Sequence, residues 1–518
     1  MTGAAAATVG REHPDARLQH LLQRDDLVRD GGRFALAEPG RTRTDAMAAD
    51  LRLVRAALET AALGYLLVRG DDDRPIIAVD ASARGALETA LATAFAAEPF
   101  YARVDGPGQR AERLLALGTL PGEDAQLFLL FRRRVRASRA GWRLPEAAVR
   151  LELWDFGEEE IVAPRANALT RRRIARDDAV ITMVEQHGGR WPSLAGMFDD
   201  HADDVHFPID MVFSWVDGDD PEYHARRAAR LAQRRLNPAD VSAARYRQID
   251  ELRYALRSVH AFAPWVRRIF IATDSPAPAW LNTEHPGVRI VRSSEFFTDP
   301  EALPTFNSHA IEAQLHHIPE LAEHFLYSND DMFFGRPVTP AMFFSPGGIT
   351  RFVEATVRIG LGETGPERTG HDNAMRVNRA LLRERFGRLI TRHLEHCPAP
   401  LRRSVMAELE AAFPDEFART AGSPFRSPSD ISVTNSLYHY YALFTGRAVT
   451  QTDLRVRYIE TTLADTAAQL RRVERRREYD MFCLNDGTEP EITEEARIPL
   501  VTEFLDRYFP VAAPWEHA

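Results

Sequence analysis

Between residues 208 and 335 short apolar runs alternate with segments of helical periodicity, and this limits the fold more than any other feature. Ile209 to Val216 is a strand candidate closed by Asp217-Gly218-Asp219-Asp220-Pro221. Glu251 to Phe262 carries Leu252, Ala255, Leu256 and Val259 on one helical face. Arg268 to Thr273 is a second strand ending at Asp274, and Val288 to Val291 is a third. Ser308 to His317 reads as a helix with Ile311 and Leu315 inward. A further apolar strand, Phe325 to Ser328, then runs into Asn329-Asp330-Asp331, followed by Met332-Phe333-Phe334-Gly335. Strands alternating with helices of this length imply an α/β fold with a mostly parallel sheet and crossover connections.

In such sheets ligands bind outside the carboxyl ends of the strands. Asp217, Asp274 and Asn329 to Asp331 all fall at such ends. Two adjacent carboxylates beside a buried strand are costly unless a cation or hydrogen-bond donors offset their charge. The reading is that Asn329, Asp330 and Asp331 hold a divalent ion together with a phosphorylated donor.

The remaining sequence sets the domain organisation. A length of 518 residues exceeds one compact core. The net charge of -10 and pI near 6.0 give no support for a general nucleic-acid binder. Arginine greatly outnumbers lysine, which reads first as coding bias. Cys397 and Cys483 provide neither a disulfide framework nor a zinc set, and reduced thiols in a cytosolic protein are expected. Met1 to Gly10 lacks the pattern of a signal peptide, and no apolar run is long enough to span a bilayer, so any membrane association would be peripheral. Ala46 to Ala62 and Ala81 to Ala96 read as helices. Tyr65 to Val68, Pro75 to Val79, Leu127 to Val135 and Val149 to Phe156 read as strands. Asp71-Asp72-Asp73 reads as a solvated hairpin turn, and the arginine triplets at 132 to 134 and 171 to 173 as solvated faces. Residues 157 to 207 read as loops with a break at Trp191-Pro192. A boundary near residue 200 makes 1–200 a small accessory α/β domain. In the second part, 208–345 is expected to be the sheet core. Residues 346–518 are expected to be mainly helical: Asp372 to Phe386, Pro400 to Phe413, Ser429 to Phe444 and Ala464 to Arg477 are helices, Leu454 to Ile459 is a strand, and Glu478 to Asp486 is a loop.

Several blocks in the second part resemble a known family. Ile209 to Gly218 is similar to the first block of the Stealth family, which comprises bacterial capsular and exopolysaccharide phosphotransferases related to the eukaryotic enzyme that puts GlcNAc-1-phosphate on lysosomal glycans. Glu251 to Ser258, Ala263 to Arg267, Phe270 to Asp274, Leu303 to Glu312 and Phe325 to Gly335 resemble its second block. His393-Leu394-Glu395-His396-Cys397-Pro398 through Phe425-Arg426-Ser427-Pro428-Ser429-Asp430 resembles the third, and Met481 to Asp486 the fourth. Residues 201–518 thereby resemble a Stealth-type catalytic domain.

The resemblance implies a sheet of the nucleotide-diphospho-sugar transferase (GT-A-like) type. It implies transfer of sugar-1-phosphate, with N-acetylhexosamine-1-phosphate favoured, from a UDP-sugar to a glycan hydroxyl. UMP would be released, in capsule or exopolysaccharide synthesis at the cytoplasmic membrane face. Phosphoryl transfer needs charge neutralisation, in-line positioning and a base. A Mg²⁺ or Mn²⁺ ion on Asp330 and Asp331, with Asn485 at the same site, would supply the first. Arg426 and Arg253 are candidates for two-point phosphate contact. His396 matches a histidine the family uses catalytically and suits the base. Asp217, Gly218, Asp274, Asn329, His309 and Asp430 are candidates for holding the substrates. Trp215 either stacks on uracil or belongs to the core. His309, Glu312 and His316 could align as metal ligands, although a polar helix face accounts for Glu312 and His316, and His309 lies inside the block. Asn485 and Asp486 either form a turn or support the metal.

Two departures stand out. Asp217 occupies a position where many relatives have asparagine. Pro398-Ala399-Pro400 lies where lysosomal-type members carry a second histidine, which counts against a two-histidine mechanism and not against His396. The alternatives are a metal-dependent glycosyltransferase releasing UDP and a catalytically inactive glycan- or nucleotide-binding protein. The simultaneous presence of the acids, His396 and Arg426 argues against the second.

Overall fold

The computed structural model describes residues 14–38, 40–109, 111–135, 147–231, 249–487 and 489–517. The chain divides into two compact units, Met1–Asp200 and His201–Ala518. The reading of Met1 to Gly10 lies outside the described residues. Among the described residues no helix is long and apolar enough to cross a membrane.

In the first unit, helices α1 (Arg43–Thr60) and α2 (Arg84–Ala94) pack on a sheet. Leu51, Val54 and Leu58 of α1 and Leu87 and Leu91 of α2 share one core with Ile77, Val79, Leu130 and Leu151. Strands β1 (Tyr65–Val68) and β2 (Ile76–Asp80) form an antiparallel hairpin, and β2 pairs in parallel with β5 (Ala148–Phe156). Strands β3 (Phe100–Val104) and β4 (Leu127–Arg132) complete an antiparallel series onto β5.

Three expectations for this unit fail, each for a physical reason. Arg132 and Arg134 are not a solvated face: both are buried and converge on Asp50, which is fully buried. The acidic triplet is not simply solvated. Asp72 accepts from Arg150 at 3.1 Å, Asp71 from Arg165 at 2.9 Å, and Asp73 pairs with Arg43. Trp191-Pro192 does not break the chain. It lies within strand β7 (Gly189–Leu194), which pairs antiparallel with β6 (Ile181–Gln186). Trp191 is fully buried in the core, which holds the strand in place despite the proline. The second triplet, at 171 to 173, is exposed.

The second unit is built on a five-stranded sheet in the order β10-β9-β8-β11-β13. Its strands are β8 (Ile209–Ser214), β9 (Ile269–Ala272), β10 (Val288–Val291), β11 (His324–Asn329) and β13 (Ala399–Arg402). The first four are mutually parallel and β13 is antiparallel to β11. Alternate residues enter two different cores, which explains why the strands read as continuous apolar runs. Met211, Phe213 and Leu326 face helix α3 (Glu251–Phe262), through Leu252, Ala255, Leu256 and Val259. Val212, Phe270, Phe325 and Tyr327 face α4 (Ser308–Gln314), α5 (Gly370–Phe386), α6 (Arg403–Ala412) and α7 (Tyr438–Phe444). Each fully buried large side chain contributes roughly 1.5–3 kcal/mol.

The part from 346 onward departs from a mainly helical reading. Ala399–Arg402 is strand β13, not the start of a helix. Met481–Asn485 is strand β15, not a loop. It lies between β12 (Met332–Phe334), antiparallel to it, and β14 (Val456–Glu460), parallel to it. This small sheet positions the site, because it carries the fourth sequence block onto the turn after β11. Gly335 ends β12 where a side chain would not fit: a Cβ there would lie 2.6 Å from the carbonyl oxygen of Tyr479.

Candidate active site

Asp330 and Asp331 form the turn between β11 and β12. The backbone N–H of Leu484 donates to the carbonyl of Asp331 at 2.9 Å, which fastens the turn to β15. The Cys483 thiol (3.3 Å) and the Asn485 amide (3.5 Å) both face Asp331 Oδ2. The other oxygen, Asp331 Oδ1, is buried with no hydrogen-bond partner among the described residues. Glu251, at the start of α3, completes the group; its carboxylate accepts from Ile249 N–H at 2.6 Å. Burial, then Glu251 and Asp331, push the Asp330 carboxyl well above its ordinary range. Burial likewise raises Asp331. Glu251 is pushed up to about 7 by burial, with Asp331 and Asp486 adding to the effect. Asp486 is tied to Arg497 and to Thr461 Oγ1.

Buried carboxylates coupled in this way, one of them with an orphaned buried oxygen, fit a bound divalent cation. Asp330 and Asp331 are the oxygen donors that would hold it, and such donors suit Mg²⁺ or Mn²⁺. Glu251 acts on them through its field, since the oxygens of all three do not lie within 4.8 Å of one another. Asn485 directs its Nδ2 toward Asp331, so its observed role is to orient that carboxylate.

His396 lies between this acidic group and a second group, of histidines and Arg426. Its ring sits 5.0 Å from that of Tyr458, edge to face. Protein around the ring disfavours its charged form, and Asp331 favours it. Beyond it lie His371 and His393, with His371 Nε2 3.3 Å from His393 Nδ1. Burial lowers His371 well below the usual histidine range, and Arg426, His309, His393 and His396 push the same way. Arg426 donates to Ser308 Oγ at 2.9 Å. Asp430 accepts from Asn307 Nδ2 at 2.8 Å and from Ser427 N–H at 2.9 Å, and lies 3.8 Å from His309 Nδ1. Burial raises Asp430 to about 6. Acids on one side, and on the other the Arg426 cation beside imidazoles that are held neutral, with His396 between, make a site suited to a diphosphate and a proton acceptor.

The other sequence candidates divide. Asn329 accepts from Ser214 Oγ and Tyr327 Oη at 3.3 and 3.2 Å, so it shapes the strand end. Asp217 accepts from Asp219 N–H, and its own N–H donates to Ser275 Oγ. The Gly218 carbonyl is met by His224 Nε2 at 2.6 Å. Asp274 is exposed and accepts from Ser293 N–H at 2.8 Å, capping a short helix. These three lie at the carboxyl edge of the sheet in local turn and cap contacts. Two assignments are corrected. Trp215 is a core side chain, 8% exposed, and not a surface for stacking. Arg253 donates to Glu516 at 2.7 Å beside Arg257, so its guanidinium is engaged away from the acidic group. The helical triad also fails: His309 turns to Asp430, Glu312 accepts from Thr434, and His316 meets Glu410. Glu251, His371, Tyr458 and Cys483 were not singled out by sequence reasoning. Glu251 and Cys483 lie inside the recognised blocks, and that position was the available signal.

Four family models match: Stealth protein CR1, conserved region 1, at residues 207–235; CR2 at 245–352; CR3 at 395–443; and CR4 at 471–518. The exopolysaccharide phosphotransferase CpsY of Mycobacterium tuberculosis H37Rv is 53% identical over 492 residues, covering 95% of this chain and 92% of that protein. The chain belongs to the Stealth family. An exopolysaccharide phosphotransferase of Nocardia farcinica is also 53% identical, over 91% of the Stealth chain and 88% of its own length. Another from Streptomyces coelicolor, SCO6023, is 39% identical over 96% and 88%. Family membership and these relatives make the chain a phosphotransferase. Among solved structures, the galactosyltransferase LgtC covers 59% of the chain and 96% of its own length at 10% identity. Its TM-score of 0.29 is too low to assign a fold.

Proposed function

We propose that this Stealth enzyme transfers hexose-1-phosphate, with N-acetylhexosamine-1-phosphate favoured, from a UDP-sugar to a glycan hydroxyl in exopolysaccharide synthesis. The observation that carries the proposal is the placement of His396 between the Asp330–Asp331–Glu251 carboxylates and the Arg426–His371–His309 cluster. On this reading, residues 201–518 are a catalytic unit with a sheet of the nucleotide-diphospho-sugar transferase type, and 1–200 is an accessory unit. The relatives' shared name supports an exopolysaccharide as the acceptor. A peripheral position at the cytoplasmic membrane face follows from that acceptor.

The acceptor oxygen bonds to the sugar-bearing phosphorus, the bond from that phosphorus to the bridging oxygen breaks, and UMP departs. His396 takes the hydroxyl proton. Its surroundings keep it neutral and ready to accept, and Asp331 stabilises the imidazolium that results. Arg426, fixed by Ser308, presents a planar donor pair to phosphate oxygens. A divalent cation held by Asp330 and Asp331, with Glu251 beside them, would supply charge neutralisation for the diphosphate.

Phosphorus NMR of purified enzyme with UDP-hexoses, Mg²⁺ and short glycan acceptors tests this. UMP with a new phosphodiester resonance is expected. UDP with no phosphodiester would instead mean glycosyl transfer, and nucleotide binding without turnover would mean a binding protein.

A further inference from the structure

We propose that His316, His317 and Glu410 form a zinc-binding site that staples the turn preceding β11 to helix α6. His316 Nε2 lies 2.8 Å and His317 Nε2 3.0 Å from the same oxygen, Glu410 Oε2. All three candidate ligand atoms fall within 4.8 Å of one another. The two imidazoles are also close, with ring centroids 3.9 Å apart.

In a tetrahedral zinc site, bonds of about 2.0–2.1 Å put neighbouring ligand atoms about 3.3 Å apart. The observed contacts need to open by only a few tenths of an ångström. His317 and Glu410 can supply that movement, since their side chains are 31% and 27% exposed. The His316 side chain is 2% exposed and anchors the site. Phe417 packs against it edge-on, and Arg403 Nε donates to the His316 carbonyl at 3.1 Å. Two imidazoles and one carboxylate select zinc or a similar late first-row ion over magnesium. The partial exposure of His317 and Glu410 leaves the fourth position to water.

The location assigns the role. Arg402 of β13 pairs with His324 of β11, so α6 starts at the amino end of β11. Asp330 follows the carboxyl end of that six-residue strand, about 20 Å along it. The site therefore stands apart from the acidic group and joins two segments distant in sequence. Its effect is on the stability of the second unit, independent of the transfer chemistry.

The test is zinc titration of full-length, tag-free protein in excess Mg²⁺, with a competing chelator to fix the affinity. Wild type is expected to bind zinc saturably and to melt at a higher temperature when loaded. His317→Ala and Glu410→Gln are expected to weaken binding by more than about 100-fold, beyond the loss typical of an outer partner. They should also lose the thermal shift and the visible bands of the cobalt-loaded protein, while transfer at ambient temperature is unchanged. Circular dichroism verifies that both variants fold. No saturable zinc binding by wild type, or equal binding by folded variants, would overturn the site and leave the histidines as plain hydrogen-bond donors to Glu410.

Discussion

Each unit of this chain buries a set of charges, and the two sets are built in opposite ways. In the first unit Asp50 receives Arg132 Nε at 2.8 Å and Arg134 Nη2 at 2.6 Å. Arg132 reaches on to Glu98 at 2.9 Å, and Arg134 to Glu38 at 3.1 Å. Every charge there meets its opposite. In the second unit Glu251 and Asp331 raise the proton affinity of Asp330, Asp331 raises that of Glu251, burial raises all three, and Asp331 Oδ1 has no partner among the described residues. Burial alone therefore does not mark function. A closed ionic cluster is architecture, whereas one that lacks a cation is a place prepared for something else.

The sharpest way to break this contrast is to remove a carboxylate from each set. Asp330→Ala and Asp331→Asn are expected to reduce UMP release by at least about 10³-fold, an electrostatic loss of about 4 kcal/mol. Without added metal their melting temperature should match or exceed wild type, because like charges are being thinned. A clear fall in stability would make these carboxylates structural. His396→Ala should lower kcat by about 10²–10⁴-fold, as for loss of a general base. Near-normal rates at neutral pH would remove that role.

The converse substitution, Asp50→Ala, removes the fully buried partner of two buried arginines and leaves them only their more exposed partners, Glu98 and Glu38. Denaturant unfolding should show the first unit destabilised by about 3–5 kcal/mol. Transfer per folded molecule should stay within about two-fold of wild type. Unchanged stability would mean that this cluster is as open as the acidic one.

The smallest effect is on pH dependence. Burial lowers His439 to about 4, while its ring bonds the Thr434 carbonyl at 2.9 Å. At this residue the unfolded state therefore binds more protons than the folded one between pH 6.5 and about 4. Stability conferred by neutral His439 is lost as pH falls through that window, by at most about 3 kcal/mol. Glu251, raised from 4.5 to about 7, acts with the opposite sign across that range, so the histidine effect must be read as a difference. His439→Gln should flatten the wild-type slope of unfolding free energy against pH over that window; an identical slope would contradict it.

The sequence made the parallel strands and the acidic turn legible because both depend on local pattern: apolar runs of sheet length, and two adjacent acids where such a run stops. What depends on pairing across the fold was hidden. Met481 to Leu484 is four apolar residues, too short to declare itself a strand, and only its neighbours β12 and β14 make it one. Glu251 looked like an ordinary first-turn acid of a helix. His371 sits on an amphipathic helix, and nothing nearby in sequence indicates that its ring meets His393. The arginines at 132 to 134 looked solvated because Asp50, which neutralises two of them, is 82 and 84 residues away. The family resemblance brought in His396 and Arg426, which spacing alone would not have selected.

The most direct test of the contrast is a Mn²⁺ titration followed by electron paramagnetic resonance, on wild type, Asp331→Asn and Asp50→Asn, all verified as folded. The account predicts that wild type and Asp50→Asn take up the ion equally and that Asp331→Asn loses it. Retention of Mn²⁺ by Asp331→Asn with wild-type affinity would contradict the account.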